Sequence, residues 1–308
     1  MLPFAKKHNV RVILANRRDY PEATPFTEAE FNQLTSSLSV TPEGIQNLRD
    51  FLRDRAADLY QLLETLIQVD NVPQKGGIVV GGWSFGTQFT TTLLAHAGSI
   101  PVGDIDVASY IRYIVNLDMP SHILGYAPIE GGWNPLLDLT LPGAERVNIF
   151  PRWVSGYFMH GETVAELIVR DFTEEISPTL DRMTHEELQS CLFVAPGEPG
   201  ASDDMLFRAI RMHDITSELR EMIVFPTGNG GLWDNVKLRH VFCDRSTWSE
   251  FWGAHCLREE ISKAEQSGKR VRPIEIVRLR GANHFSAWDD PERTLVALMG
   301  LEEADHSV

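Results

Sequence analysis

The sequence predicts an α/β fold: a mostly parallel sheet flanked by helices, with a helical segment inserted as a lid. Two observations carry this. Short apolar runs alternate with amphipathic stretches up to about residue 124 and again from 236 to 308, the pattern of parallel strands joined by helices on both sheet faces. Between 125 and 235 the alternation stops and aromatic-rich and polar loop segments replace it. The expected organisation is therefore a core of residues 1–124 and 236–308 with a cap of residues 125–235.

The elements follow in order. Arg11 to Asn16, RVILAN, reads as a buried strand entering the turn-rich RRDYPEATP. Thr41-Pro42-Glu43 supplies a cap, a proline at the first helical position and an acidic first turn. Leu48, Phe51, Leu52, Ala56, Leu59, Leu62, Leu63 and Ile67 then recur at helical spacing as far as Val69. Ile78-Val79-Val80-Gly81-Gly82 is a strand, and FGTQFTTTLLAHAG a helix ending near Gly98. Tyr110 to Leu117 is the next strand, with Asp118 at its carboxyl end and Pro120 preventing continuation. Within the insertion, DDMLFRAIRMHDITSELREMI reads as one helix. After it come a strand at Val236 to Cys243, a helix from Trp248 to Gln266, a strand at Pro273 to Leu279 and a last helix after Pro291.

Composition excludes several classes. A formal net charge of -15 argues against nucleic acid, because phosphate contacts need clustered Lys and Arg; at long range it also favours neutral over acidic substrates. The cysteines, Cys191, Cys243 and Cys256, are odd in number and widely spaced, which indicates neither a disulfide framework nor a zinc cluster. The first residues lack the apolar run of a signal peptide or a membrane span, so a cytoplasmic protein is expected. His185-Glu186-Glu187 starts like a zinc-protease helix, but its second histidine is missing, and the glycines at 228 and 230 lack the third of a dinucleotide loop. No metal and no cofactor are expected.

The chemistry points to Gly82-Trp83-Ser84-Phe85-Gly86, a G-x-S-x-G directly between an apolar strand and a helix. Such a turn strains the serine backbone and stands its hydroxyl clear of the sheet, with glycines on either side removing Cβ clashes. At the helix start the backbone N–H of Phe85 faces a developing oxyanion. A serine hydroxyl needs a base. Of the 10 histidines, His284 sits best, in a loop after the last strand and before the final helix. His122 is its rival; the others, His306 of the tail included, sit in helices, at strand starts or in the insertion. The imidazole needs a carboxylate, and both Asp118 and Asp244 end strands and preserve the order Ser, Asp, His. Asp118 is favoured for its sharp Asp-Met-Pro stop, since Asp244 has Arg245 beside it. Trp83, Trp153 and Tyr157 are candidate pocket walls.

GGWSFG, NLDMPSHILGY and LRGANHFSAWDDPE, with the cap between them, resemble the α/β-hydrolase superfamily, in particular its fungal-type members, over nearly the whole chain. The resemblance implies a triad of Ser84, Asp118 or Asp244, and His284. It also implies no cofactor, and an ester, thioester or related acyl substrate, here small and largely apolar, cleaved through an acyl-enzyme. In that family the acid usually follows the penultimate strand, where this chain reads Asp244-Arg245-Ser246-Thr247. Relatives also begin with further strands and a loop that donates a second oxyanion N–H; this chain opens on what resembles the helix and strand after that loop. That departure supports the alternative of a non-catalytic scaffold binding an apolar ligand or a partner protein.

Overall fold

In the computed structural model, which describes residues 1–301, four parallel strands lie side by side in chain order: β1 (Ile78–Trp83), β2 (Ile111–Leu117), β3 (Lys237–Cys243) and β4 (Ile274–Leu279). His306 lies outside the described residues. Parallel neighbours require long crossovers, and helices fill them. The helices are α1 (Leu2–Lys7), α2 (Glu28–Ser36), α3 (Pro42–Val69), α4 (Thr87–His96), α5 (Gly143–Val154), α6 (Thr179–Arg182), α7 (His185–Cys191), α8 (Ser202–Met212), α9 (Ile215–Val224), α10 (Trp248–Gln266), α11 (Ser286–Asp289) and α12 (Pro291–Met299). A mostly parallel sheet flanked by helices is what the alternation predicts.

Successive side chains on a strand point to opposite faces, and here the two faces bury different partners. Ile78, Val80, Ile114, Leu238 and Ile276 pack with Tyr60, Leu63 and Ile67 of α3, Leu93 and Leu94 of α4 and Leu257 of α10. Val79, Val115, Leu117, Val241, Val277 and Leu279 pack with Ala297 and Leu298 of α12. Helix α3 forms as its sequence dictates: Thr41 Oγ1 accepts from the Gly44 N–H, Pro42 opens the first turn, and Leu48, Phe51, Leu52, Ala56, Leu63 and Ile67 are buried along one stripe.

The structure departs from the sequence reading in two places. RVILAN is not a strand: residues 11–16 form no sheet pairing, and Ile13 and Leu14 are exposed. An apolar run supplies side chains for a strand, but the strand exists only where a neighbour accepts its backbone hydrogen bonds. The helix expected through DDMLFRAIRMHDITSELREMI is two, α8 and α9, broken at His213–Asp214, where Asp214 adopts a left-handed conformation (φ 50°). The apolar period continues across the break, so periodicity could not reveal it. The second of the two also belongs to the core: Ile223 and Val224 of α9 pack with α3, α4 and β2. No helix among the described residues is long and apolar enough to cross a membrane.

Candidate active site

The strand–turn–helix around Ser84 places its hydroxyl at the carboxyl end of the sheet. Ser84 has φ 52°, a left-handed conformation that costs a non-glycine residue of order 1–3 kcal/mol. The turn tightens at once, with Thr87 Oγ1 donating to the Ser84 carbonyl at 2.5 Å. Of the two flanking glycines only the first is forced. A Cβ on Gly82 would meet Thr90 Oγ1 at 2.7 Å, the Gly86 carbonyl oxygen at 2.8 Å and Thr87 Cα at 2.9 Å, whereas one on Gly86 would meet nothing within 4 Å. The expectation that both glycines relieve a clash is corrected to Gly82 alone.

The structure brings together Ser84, His284 and Asp118. His284 Nε2 lies 2.8 Å from Ser84 Oγ, and His284 Nδ1 lies 2.6 Å from Asp118 Oδ2. An ionised carboxylate only accepts, so the Nδ1–H donates to Asp118 and Nε2 is left to accept the serine proton. Burial by itself would lower the imidazole pKa, but the hydrogen bond and charge of Asp118, with Glu250 behind it, hold it above its ordinary value. His284 is also fixed from its backbone, its carbonyl accepting from Trp83 Nε1–H at 2.9 Å. The next link is Asn283, whose Nδ2 donates to the Ser155 carbonyl at 2.8 Å and to Thr179 Oγ1 at 2.7 Å, tying the histidine loop to the inserted segment.

Asp118 is fully buried, with φ 51°. Its Oδ1 accepts from the Cys243 N–H at 2.7 Å and its Oδ2 from Ser246 Oγ–H at 2.6 Å. Asp244, the alternative, is engaged elsewhere: it accepts from Arg278 Nε at 3.0 Å and from the Gly281 N–H at 2.6 Å, bracing the loop that carries His284. His122, the rival histidine, is not bonded to Ser84. It sits edge-on to Phe207 at 5.5 Å, and burial followed by the charge of Arg211 pushes its pKa down to about 3.

A cavity of about 960 Å³ opens onto Ser84, Phe85, His122 and His284 and is walled by residues of α5, α8 and the start of α10, among them Val147, Phe150, Trp153 and Phe207. This volume is in the range of small-molecule sites. Of the three expected wall residues, Trp153 lines it. Trp83 and Tyr157 do not: Trp83 holds the His284 carbonyl, and the Tyr157 hydroxyl donates to Asp289 Oδ2 at 2.6 Å. Phe85 stands where expected, at the first turn after Ser84, with its ring against Phe89 and Phe207; backbone N–H groups there have no acceptor within the helix.

Sequence reasoning missed Glu250 and Ser246. Glu250 is buried at 2% exposure, accepts from Thr247 Oγ1–H at 2.5 Å, and lies 3.4 Å from the Ser246 hydroxyl that also serves Asp118. Burial and then the charge of Asp118 push its pKa up to about 7. Its only sequence signal is Thr247-x-x-Glu250, which reads as an ordinary helix-start pattern.

No protein-family model matches this chain, and no curated protein matches it. Among solved structures it is similar to a carboxylesterase of the ammonia-oxidizing thaumarchaeon Nitrososphaera gargenis (14% identity, TM-score 0.41, covering 81% of this chain and 71% of that one). It is likewise similar to an alpha/beta hydrolase from a deep-sea metagenome library (13%, 0.39, 80% and 73%) and to a laboratory-evolved variant of potato epoxide hydrolase (11%, 0.39, 90% and 89%). In the chain itself, the parallel sheet and the serine turn between β1 and α4 agree with the α/β-hydrolase fold expected from the sequence.

Two outcomes follow from this geometry. Gly82→Ala should lose about 1–3 kcal/mol of stability by overpacking against backbone, while Gly86→Ala should unfold within about 0.5 kcal/mol of the native chain; parallel urea titrations read both. For Glu250 the folded pKa stands above the ordinary 4.5. Its contribution to stability is thus full below pH 4.5 and lost as pH rises through about 7. Glu250→Gln, which keeps the uncharged shape, should therefore melt at the same temperature as the native protein at pH 4 and above it at pH 8. Equal melting temperatures at both would show that Glu250 carries no such strain.

Proposed function

We propose that this α/β-hydrolase-fold protein is a serine hydrolase that cleaves an ester, thioester or related acyl bond through an acyl-enzyme on Ser84. The carrying observation is the chain of contacts from Ser84 Oγ to His284 Nε2 at 2.8 Å and from His284 Nδ1 to Asp118 at 2.6 Å. As Ser84 attacks the carbonyl carbon, its proton passes to Nε2, and the buried Asp118 carboxylate stabilises the imidazolium. The Phe85 N–H, at the positive end of α4, donates to the oxyanion. His284 then returns the proton to the leaving alcohol or thiol, and in the second half takes one from water as the acyl-enzyme is hydrolysed. Trp153 and Phe207 keep the reacting carbonyl in an apolar surround. The segment carrying α5 and α8 acts as the lid that excludes bulk water.

A fluorophosphonate probe should label the purified protein on Ser84, and labelling should vanish in Ser84→Ala and His284→Ala. Well-folded native protein that stays unlabelled would sink the reading. With an ester substrate, kcat/KM should rise with pH as His284 loses its proton, at a pH above its ordinary 6.5. In Asp118→Asn the larger raising influence is gone while burial remains, with only Glu250 opposing it, so the residual activity should fall by about 10⁴ and its acidic limb should move to lower pH. A limb that stays in place would show that another carboxylate serves His284.

A further inference from the structure

The cavity above Ser84 carries positive charge that the chain does not neutralise. Arg211 of α8 lines it, exposed to solvent and packed over the Phe207 ring at 5.6 Å, with no ion-pair partner among the described residues. Arg146 of α5 lines the same cavity. Its Nη1 donates to the Leu136 carbonyl at 3.3 Å, and its buried Nε has no acceptor. Arg208 has Asp204, at a loose 3.5 Å.

The acidic groups on the wall do not offset these charges. Asp203 is already taken, by Arg17 at 2.6 Å and by the Tyr20 hydroxyl at 2.7 Å. Glu250 is the buried carboxyl whose ionisation its surroundings oppose. In a chain of formal net charge -15, two guanidiniums left without carboxylates in one apolar-walled pocket are a local reversal of sign. Solvent still reaches Arg211, so an incoming group has a path to it. A guanidinium presents a planar fork of donors that matches a carboxylate or a phosphate.

We propose that the substrate carries an anionic group, a carboxylate or a phosphate, joined by an apolar spacer to the acyl bond that Ser84 attacks, and that Arg211 and Arg146 receive that group. This rests on the serine-hydrolase reading and narrows it. The long-range charge of the chain favours neutral substrates, as its composition implies; the two arginines overrule that at contact distance, where pairing outweighs a field screened over about 10 Å.

The test compares esters of matched length: p-nitrophenyl hexanoate, the p-nitrophenyl monoester of adipic acid, and p-nitrophenyl 5-phosphonopentanoate. In the native protein at least one anionic ester should exceed the hexanoate in kcat/KM by about tenfold or more, the worth of one charge-assisted hydrogen bond, and which one does so identifies the anion. The ratio should fall in Arg211→Gln and approach unity only in the double variant Arg146→Gln, Arg211→Gln, with Arg211→Lys retaining part of it. A native ratio at or below unity, or one unchanged in the double variant, overturns the proposal. If Ser84 labels with fluorophosphonate and the hexanoate is cleaved while that happens, the hydrolase reading stands and only the anion preference falls. If no ester is cleaved and Ser84 does not label, both fall together.

Discussion

The buried carboxylate of Asp118 is the constraint on which the site depends. It leaves the end of β2 in a left-handed conformation, and its own N–H donates to the Val241 carbonyl of β3 at 2.7 Å. One oxygen takes the Cys243 N–H; the other takes both Ser246 and His284. A carboxylate with no exposure survives only when its lone pairs are filled by good donors. Those donors come from β3, from the turn before α10 and from the loop after β4, so satisfying Asp118 brings three separate parts of the chain into register. Withdrawing any one donor would strand part of a negative charge in the protein interior. The placement of His284 against Ser84 and the stability of the sheet's carboxyl edge are here one requirement.

Around that anchor the site is built from second carriers, each of which fixes one freedom of the histidine. Trp83 holds its carbonyl, Asn283 ties the preceding residue to the inserted segment, and the Asp244–Arg278 pair with the Gly281 N–H shapes the loop that delivers it. Glu250 is the exception, a second buried acid that adds charge where there is already one. Its position, one hydroxyl away from Asp118, makes the electrostatic surroundings of the imidazole a property of two carboxyls and a serine rather than of one aspartate.

Much of this was legible in the sequence, for identifiable reasons. The strands β1 to β4 are apolar runs bounded by turn residues, α3 carries strong periodicity and a cap, and α10 a cap at Thr247, so local chemistry determines much of them. Ser84 and His284 were legible because the mechanical context of a strand–turn–helix and of a strand-end loop is written in neighbouring residues. RVILAN was misread because pairing is a tertiary property. The break at Asp214 was missed because a left-handed residue leaves the apolar period intact. The choice between Asp118 and Asp244 turned on Arg278, 34 residues beyond Asp244 along the chain; the adjacent Arg245, on which local reading relied, stands 4.0 Å away. Trp83 and Tyr157 look like pocket walls by composition, yet each spends its polar tip on a distant backbone or carboxylate.

The spacing of Ser84, Asp118 and His284 along the chain has a temporal consequence. Ser84 and His284 stand 200 positions apart, and Asp118 is 166 positions before His284. His284 arrives on the last strand's trailing loop, after every element of the sheet has left the ribosome. A nascent chain that holds only Ser84 and Asp118 therefore lacks the imidazole that the proposed reaction needs, and a contact of such long sequence separation forms late. Under the serine-hydrolase reading, reactivity toward an electrophile reports that β4 has docked, and an electrophilic label added during synthesis would date the completion of the fold.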